Sequence, residues 1–193
     1  MRIGLIRHGR TDWNRAGLLQ GRTDRPLEDG EPERLSDFAL PPAWENAAVI
    51  ASPLVRASET ARILSGSNPP TDARLTEMNF GEWEGRPSKE LREDPKSGFR
   101  DLEYWGWDYR PPNGESPLEV WERVSAALDD LTEDTLIVCH MVVMRVVLAK
   151  AHGWDFEGHP PFQVKRDRIY GVTIEGNSFS ADPEPIRLIP RCA

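Results

Sequence analysis

The chain has 193 residues, of which 38% are hydrophobic and 29% charged. That is an ordinary globular composition, long enough to bury a substantial core. A formal net charge of −8 argues against nonspecific binding to nucleic acid or an anionic membrane, which relies on clustered Lys and Arg. Two cysteines, Cys139 and Cys192, make no disulfide framework, and MRIGLIRHGR lacks the apolar core of a signal peptide, so a cytoplasmic location is the default expectation.

From the amino terminus, RIGLIR over 2–7 predicts a short central strand, and Gly9 straight after His8 is expected to let the chain turn sharply at its carboxyl end. Open α/β sheets bind ligands at that edge. A second strand is expected over 47–51. A helix follows over 53–65, with Ser52 as N-cap, Pro53 in the first turn, and Leu54, Ala57, Ala61 and Leu64 on one apolar face. Residues 72–75 read as a strand. The Pro- and charge-rich stretch 86–116 reads as an excursion over the active-site edge, anchored by Trp105, Trp107 and Tyr109.

Ser116-Pro117-Leu118-Glu119 is a capping box that opens a helix, whose stripe runs through Leu118, Trp121, Val124, Leu128 and Leu131. A strand over 135–139 is expected to lead into a helix just after His140, buried through Val142, Val143, Val146 and Val147. This apolar stretch, 136–149, is too short to span a bilayer. Strands at 168–175 and 185–189 close the chain. Alternation of this kind predicts an α/β fold: a single-domain, three-layer sandwich over 1–193, with a mainly parallel sheet and helices on both faces.

In an acidic chain an anionic substrate must be drawn by a local patch, and Arg7, Arg10, Arg22 and Arg56 are candidates for it. A histidine at the edge of the sheet can attack phosphorus while the planar donor fork of Arg7 neutralises phosphoryl oxygens. Arg56 falls in the first turn of its helix and His140 at the start of another, where helix dipoles favour anions. The four histidines show no HExxH spacing, and neither GxxxxGK[ST] nor GxGxxG occurs, so no metal and no cofactor are expected. Cys139 reads as a small packing residue on a core strand.

Six segments, RHGRTDWN at 7–14, LLQGRTDRPLEDG at 18–30, ASPLVRASETA at 51–61, LTEMNFGEWEG at 75–85, NGES at 113–116 and VCH at 138–140, together resemble the histidine phosphatase superfamily. That group includes cofactor-dependent phosphoglycerate mutases and small α-ribazole and broad-specificity phosphatases. The resemblance implies His8 as the nucleophile, Arg7 and Arg56 as phosphoryl clamps, and His140 as a second, charged phosphoryl ligand. It implies Glu77 as the general acid that expulsion of an alkoxide requires. Asn14 is placed at the same phosphate, with Thr11, Gly21, Arg22 and Met141 as further substrate-binding positions; Glu82 and Glu84 read as solvated.

FGEWEG resembles the phosphatases more than the mutases. The family pattern is broken at Arg10, where an acidic residue is usual, and at Met141, where glycine is usual and lets the backbone approach a phosphate. The expected activity is hydrolysis of a small phosphorylated metabolite through phosphohistidine. A mutase sharing the same residues and a catalytically weak phosphate-binding module stay open. Arg22, Arg25, Arg86 and Arg110 are candidates either for a second anionic group of the substrate or for surface charge, and the oligomeric state is not legible.

Overall fold

The structure, a computed structural model, describes residues 1–191, so Cys192 lies outside the described residues. In chain order its elements are β1 (Arg2–Arg7), α1 (Asp12–Ala16), α2 (Glu31–Ser36), β2 (Phe38–Ala39), β3 (Ala48–Ala51), α3 (Val55–Ser65) and α4 (Ser88–Glu93). Then come α5 (Pro117–Asp129), β4 (Thr135–Cys139), α6 (Met141–His152), β5 (Arg168–Glu175), β6 (Ser178–Ala181), β7 (Ile186–Arg187) and β8 (Ile189–Pro190). The main sheet runs β3-β4-β1-β5-β6, with β7 also on β5. β3, β4 and β1 are parallel, with Arg7 opposite Cys139 and Ala51 opposite Val138. β5 is antiparallel to β1, and β6 and β7 are antiparallel to β5, so β5 alone opposes the common direction.

Alternation along the strands divides the core into two layers. Ile3, Leu5, Ile137, Cys139, Tyr170 and Val172 face α5 and α6 through residues such as Val124, Val143 and Val147. Ile6, Leu136, Val138 and Ile169 face the other way, against Ala57, Ala61 and Leu64 of α3 and against Trp44. Helices thus cover both faces. β4 is buried along its whole length, as a parallel strand covered on both sides must be. Among the described residues no helix is long and apolar enough to cross a membrane.

Four local expectations are corrected. Residues 73–75 form a 3₁₀ turn, not a strand, because the Asp72 carboxylate caps the Arg74 N–H at 2.7 Å. The carboxyl-terminal pairing includes β6, an edge strand of exposed serines alternating with half-buried Phe179 and Ala181, which carries little apolar signal, while 185–189 divides between β7 and β8. Helix α3 begins after Leu54, which makes no side-chain cap; the Ser52 hydroxyl accepts from the Leu54 N–H at 3.3 Å, ahead of the helix, and is also engaged by His140. Gly9 is not in the left-handed region. It is needed for close packing, since a Cβ there would lie 2.9 Å from Leu35 Cδ1 and 3.0 Å from Glu31 Oε1.

The excursion over 86–116 is folded onto the core. The Trp83 ring stands 5.0 Å from that of Phe99 and 6.0 Å from that of Tyr109, and Trp107 meets Phe156 edge-on at 4.9 Å. At its far end the capping box forms as expected: Ser116 accepts from the Glu119 N–H and the Glu119 carboxylate accepts from the Ser116 N–H.

Candidate active site

The parallel register delivers three side chains to one edge. The ladder continues one residue past each strand, with His8 N–H donating to the Cys139 carbonyl at 3.0 Å and Ser52 N–H to the Val138 carbonyl at 3.0 Å. His8, Ser52 and His140 therefore follow directly from the ends of β1, β3 and β4. The two imidazole centroids are 5.1 Å apart, with their planes at 54°.

His8 Nδ1 lies 2.6 Å from the Gly9 carbonyl. A carbonyl only accepts, so Nδ1 carries the proton and the Nε2 lone pair is left free. His140 is held on both sides: Arg56 Nε–H donates to its Nδ1 at 3.3 Å, and its Nε2–H donates to Ser52 Oγ at 2.7 Å. His8 is 3% exposed and His140 is fully buried. Burial comes first, then neighbouring positive charge, and together they hold both imidazoles well below their ordinary range. This environment favours neutral His140, in contrast to the charged ligand that the family pattern implies.

Arg56 is not surface on an amphipathic helix; it is fully buried. Besides His140 it donates to the Thr23 carbonyl at 3.0 Å and the Gly21 carbonyl at 2.7 Å. The loop offering those carbonyls is pinned by Glu84, whose carboxylate accepts from Arg22 N–H at 2.8 Å, Thr23 N–H at 2.9 Å and the Thr23 hydroxyl at 2.6 Å. Glu84 is thus a structural partner of the site and not a solvated charge. A Cβ on Gly21 would lie 2.1 Å from Glu84 Oε1 and 2.7 Å from the Met78 carbonyl, so the loop can approach this closely only with glycine there.

Glu77 is 4% exposed. Its Oε1 accepts from Met78 N–H at 2.9 Å and from Val142 N–H, in the first turn of α6, at 3.2 Å. Burial raises its pKa, partly offset by these N–H groups and by Arg56 and Arg7. Arg123 of α5 steadies the segment by donating to the Glu77 carbonyl at 3.2 Å and to the Glu115 carboxylate at 3.1 Å. That places Glu115 of the NGES segment in the supporting structure.

Arg7 is pushed down to about 9 by burial, then by Arg166, with Arg145 and Arg56 also opposing its charge; its Nε is buried without a partner among the described residues. Arg145 and Arg166 are likewise lowered by burial. Arg7, Arg56 and Arg145 thus lie around one buried carboxyl, that of Glu77, and Arg166 adds a further charge beside Arg7. This excess of positive charge suits the binding of an anion, and Arg forks match phosphoryl oxygens.

Thr11 caps α1 in a capping box with Asn14 and donates to Gln20 Oε1 at 2.8 Å. Asn14 Nδ2 donates to the same oxygen at 3.3 Å, while Asn14 Oδ1 accepts from Arg166 at 2.5 Å. Gln20 Nε2 is buried and meets no acceptor among the described residues. Met141 is half-buried at the first position of α6. Arg22 is exposed and paired with Glu115 at 2.6 Å, so it does not join the central cluster. Arg25, Arg86 and Arg110 are paired with Asp12, Asp94 and Glu119. Cys139 is buried with its thiol pKa pushed up, which fits packing. Sequence reasoning missed Gln20, Ser52 as a histidine partner, Arg145 and Arg166. Gln20 stood inside a matching motif, whereas Arg166 reaches the site only through the β1–β5 pairing, which no local pattern announces.

Residues 3–182 match the model of the histidine phosphatase superfamily (branch 1). A relative from Shigella boydii serotype 18, "Probable phosphoglycerate mutase GpmB", is 32% identical over 183 residues, spanning 90% of this chain and 83% of its own. The crystal structure of TTHB049 from Thermus thermophilus superposes with a TM-score of 0.72 at 31% identity, covering 100% of this chain and 99% of that one. A putative alpha-ribazole-5'-P phosphatase from Escherichia coli str. K-12 superposes with a TM-score of 0.74 at 26% identity, covering 97% and 96%.

The buried imidazoles set a pH dependence of stability. The unfolded chain takes up protons near 6.5 that native His8 and His140 refuse, so their contribution is complete above that pH and is lost as pH falls through it. Each can contribute a slope of up to about 1.4 kcal/mol per pH unit. Glu77, raised from 4.5, acts oppositely, its contribution being lost as pH rises from 4.5 through its folded value; one carboxyl opposes two histidines. Urea unfolding is expected to show stability falling from pH 7.5 to 5.5, with a shallower fall in His140→Gln. Equal slopes in the two proteins would refute this account of the imidazoles.

Proposed function

Because the chain belongs to the histidine phosphatase superfamily, we propose that it is a phosphomonoester hydrolase acting through phosphohistidine on a small phosphorylated metabolite. The observation that carries this reading is the pairing of a neutral His8, its Nε2 lone pair free, with a ring of guanidinium groups. His8 Nε2 attacks phosphorus and the bond to the ester oxygen breaks. Glu77, whose pKa burial raises toward the protonated form, gives a proton to the leaving oxygen. Water then attacks the phosphohistidine with its proton passing to Glu77, the P–N bond breaks, and phosphate leaves.

Arg7, Arg56 and His140 hold the phosphoryl oxygens in this reading, and Asn14 adds a neutral donor. Thr11 and Gly21 serve by placing Asn14 and Arg56, and Arg22 by anchoring the loop to Glu115. Met141, half-buried at the first position of α6, is a substrate-binding position in this reading. The positive charge comes from arginine, so no metal is required.

The name of the Shigella relative keeps a mutase reading in view. It shares every bond-making residue and differs in needing a second hydroxyl held at the phosphohistidine. The segment 86–116 is filled by its own aromatic packing, which favours water as the acceptor. The weak-module reading is disfavoured because neither Arg10 nor Met141 replaces a group that makes or breaks a bond.

With EDTA present, the protein is expected to hydrolyse 4-nitrophenyl phosphate, and a rapid quench should find alkali-stable, acid-labile phosphate on His8. Activity lost on chelation and restored by a divalent cation, or label on Cys139 or a carboxylate, would contradict the mechanism. Glu77→Gln should slow phosphorylation by on the order of 10² to 10⁴ with alkyl phosphates, the range for general acid catalysis. It should slow it far less with nitrophenyl phosphate, whose leaving group departs unaided. Equal slowing with both esters would remove Glu77 from the acid role.

A further inference from the structure

Arg166 stands immediately before β5. Antiparallel pairing of Ile169 with Ile6 carries it over the carboxyl end of β1, beside the catalytic histidine. Its Nε–H donates to the His8 carbonyl at 3.3 Å and its Nη2 donates to Asn14 Oδ1 at 2.5 Å. Two of the five N–H groups of a guanidinium thus fix its plane against the wall of the site. The others meet no acceptor among the described residues.

The carboxylates able to balance Arg166 are already engaged. Arg34 takes Asp167 at 2.9 and 3.0 Å and takes both oxygens of Glu31 at 2.8 Å. Arg10 stands on the same rim. Its backbone is clamped, the N–H to Glu31 at 2.8 Å and the carbonyl by Glu28 N–H at 2.9 Å, while its side chain is exposed. Neither Arg10 nor Arg166 forms an ion pair among the described residues; half-buried Arg166 feels Glu31 and Asp167, but both are paired with Arg34, and Arg10 opposes its charge. Arg22, Arg25 and Arg110, by contrast, are each matched with a carboxylate. Two like charges, neither with an ion-pair partner of its own, repel, and a bidentate anion relieves that repulsion.

We infer that Arg10 and Arg166 form a second anion subsite beside the phosphoryl site, so that preferred substrates are small phosphomonoesters bearing a further carboxylate or phosphate. The inference rests on the phosphatase reading for the chemistry at His8, but the subsite itself can be tested without turnover. The subsite also gives a physical role to Arg10, the position where this chain departs most from the charge usual in the family pattern.

The test is calorimetric binding of three non-hydrolysable phosphonates to the full chain: propylphosphonate, 3-phosphonopropionate and propane-1,3-bisphosphonate. The first has one anionic group; the others add a carboxylate or a second phosphonate. Wild type is expected to prefer at least one doubly anionic compound by tenfold or more, and the stronger of the two identifies the second group. Arg10→Gln, a change at an exposed side chain, should cut that preference to about threefold or less, and Arg166→Gln should do the same. No preference in wild type, a preference undiminished in Arg10→Gln, or equal weakening of all three compounds by both variants would overturn the subsite. Failure to hydrolyse 4-nitrophenyl phosphate, with the binding preference present and lost in the variants, would instead remove the phosphatase reading and leave the subsite standing.

Discussion

Arg56 holds a fully buried guanidinium with no carboxylate at contact distance among the described residues, and much of the surrounding structure serves to keep it there. Its charge is met by the carbonyls of Gly21 and Thr23. Those carbonyls are available because the Glu84 carboxylate takes the N–H groups of Arg22 and Thr23 and because Gly21 leaves room for it. On its other side Arg56 donates to His140 Nδ1, which sends the remaining ring proton to Ser52. One guanidinium therefore fixes a loop and the tautomer of a histidine, through bonds whose loss would leave several buried polar groups without partners.

The same economy of carboxylates governs the electrostatics. Arg7, Arg56, Arg145 and Arg166 are all lowered by burial; burial first, and then the charges of Arg7 and Arg56, keep both histidines neutral. A neutral imidazole is the form that can act as nucleophile. Burial of Glu77 works in the opposite direction and favours its protonated form. Neighbouring groups whose environments push their protonation apart are the arrangement expected where one must attack and the other must donate. Buried charge with so few carboxylates lowers the stability of a protein, so a site of this kind sets function against stability at the same residues.

Much of the fold was legible because its signals are local. The strands at 2–7, 135–139 and 168–175 lie where apolar runs put them, and the capping box at Ser116 starts α5 as its spacing requires. His8, His140, Arg56 and Glu77 could be picked out because each stands in a motif. What escaped depends on pairing distant in sequence. Arg166 enters the site because β5 runs beside β1, Ser52 meets His140 because β3 and β4 end side by side, and Glu84 is drawn from solvent by a loop some sixty residues earlier. The misplaced strand at 72–75 failed for a local reason, a single aspartate whose carboxylate competes for the backbone.

The claim on which the chemistry turns is that His8 is neutral at physiological pH, with its proton on Nδ1 and its lone pair on Nε2. Nitrogen-15 correlation spectroscopy of the imidazoles reports this directly. In the ligand-free protein between pH 6 and 8, His8 is expected to show a protonated Nδ1 and an unprotonated Nε2 that does not change across the range. An imidazolium signal for His8 at pH 7, or a proton on Nε2 with Nδ1 bare, would contradict the account.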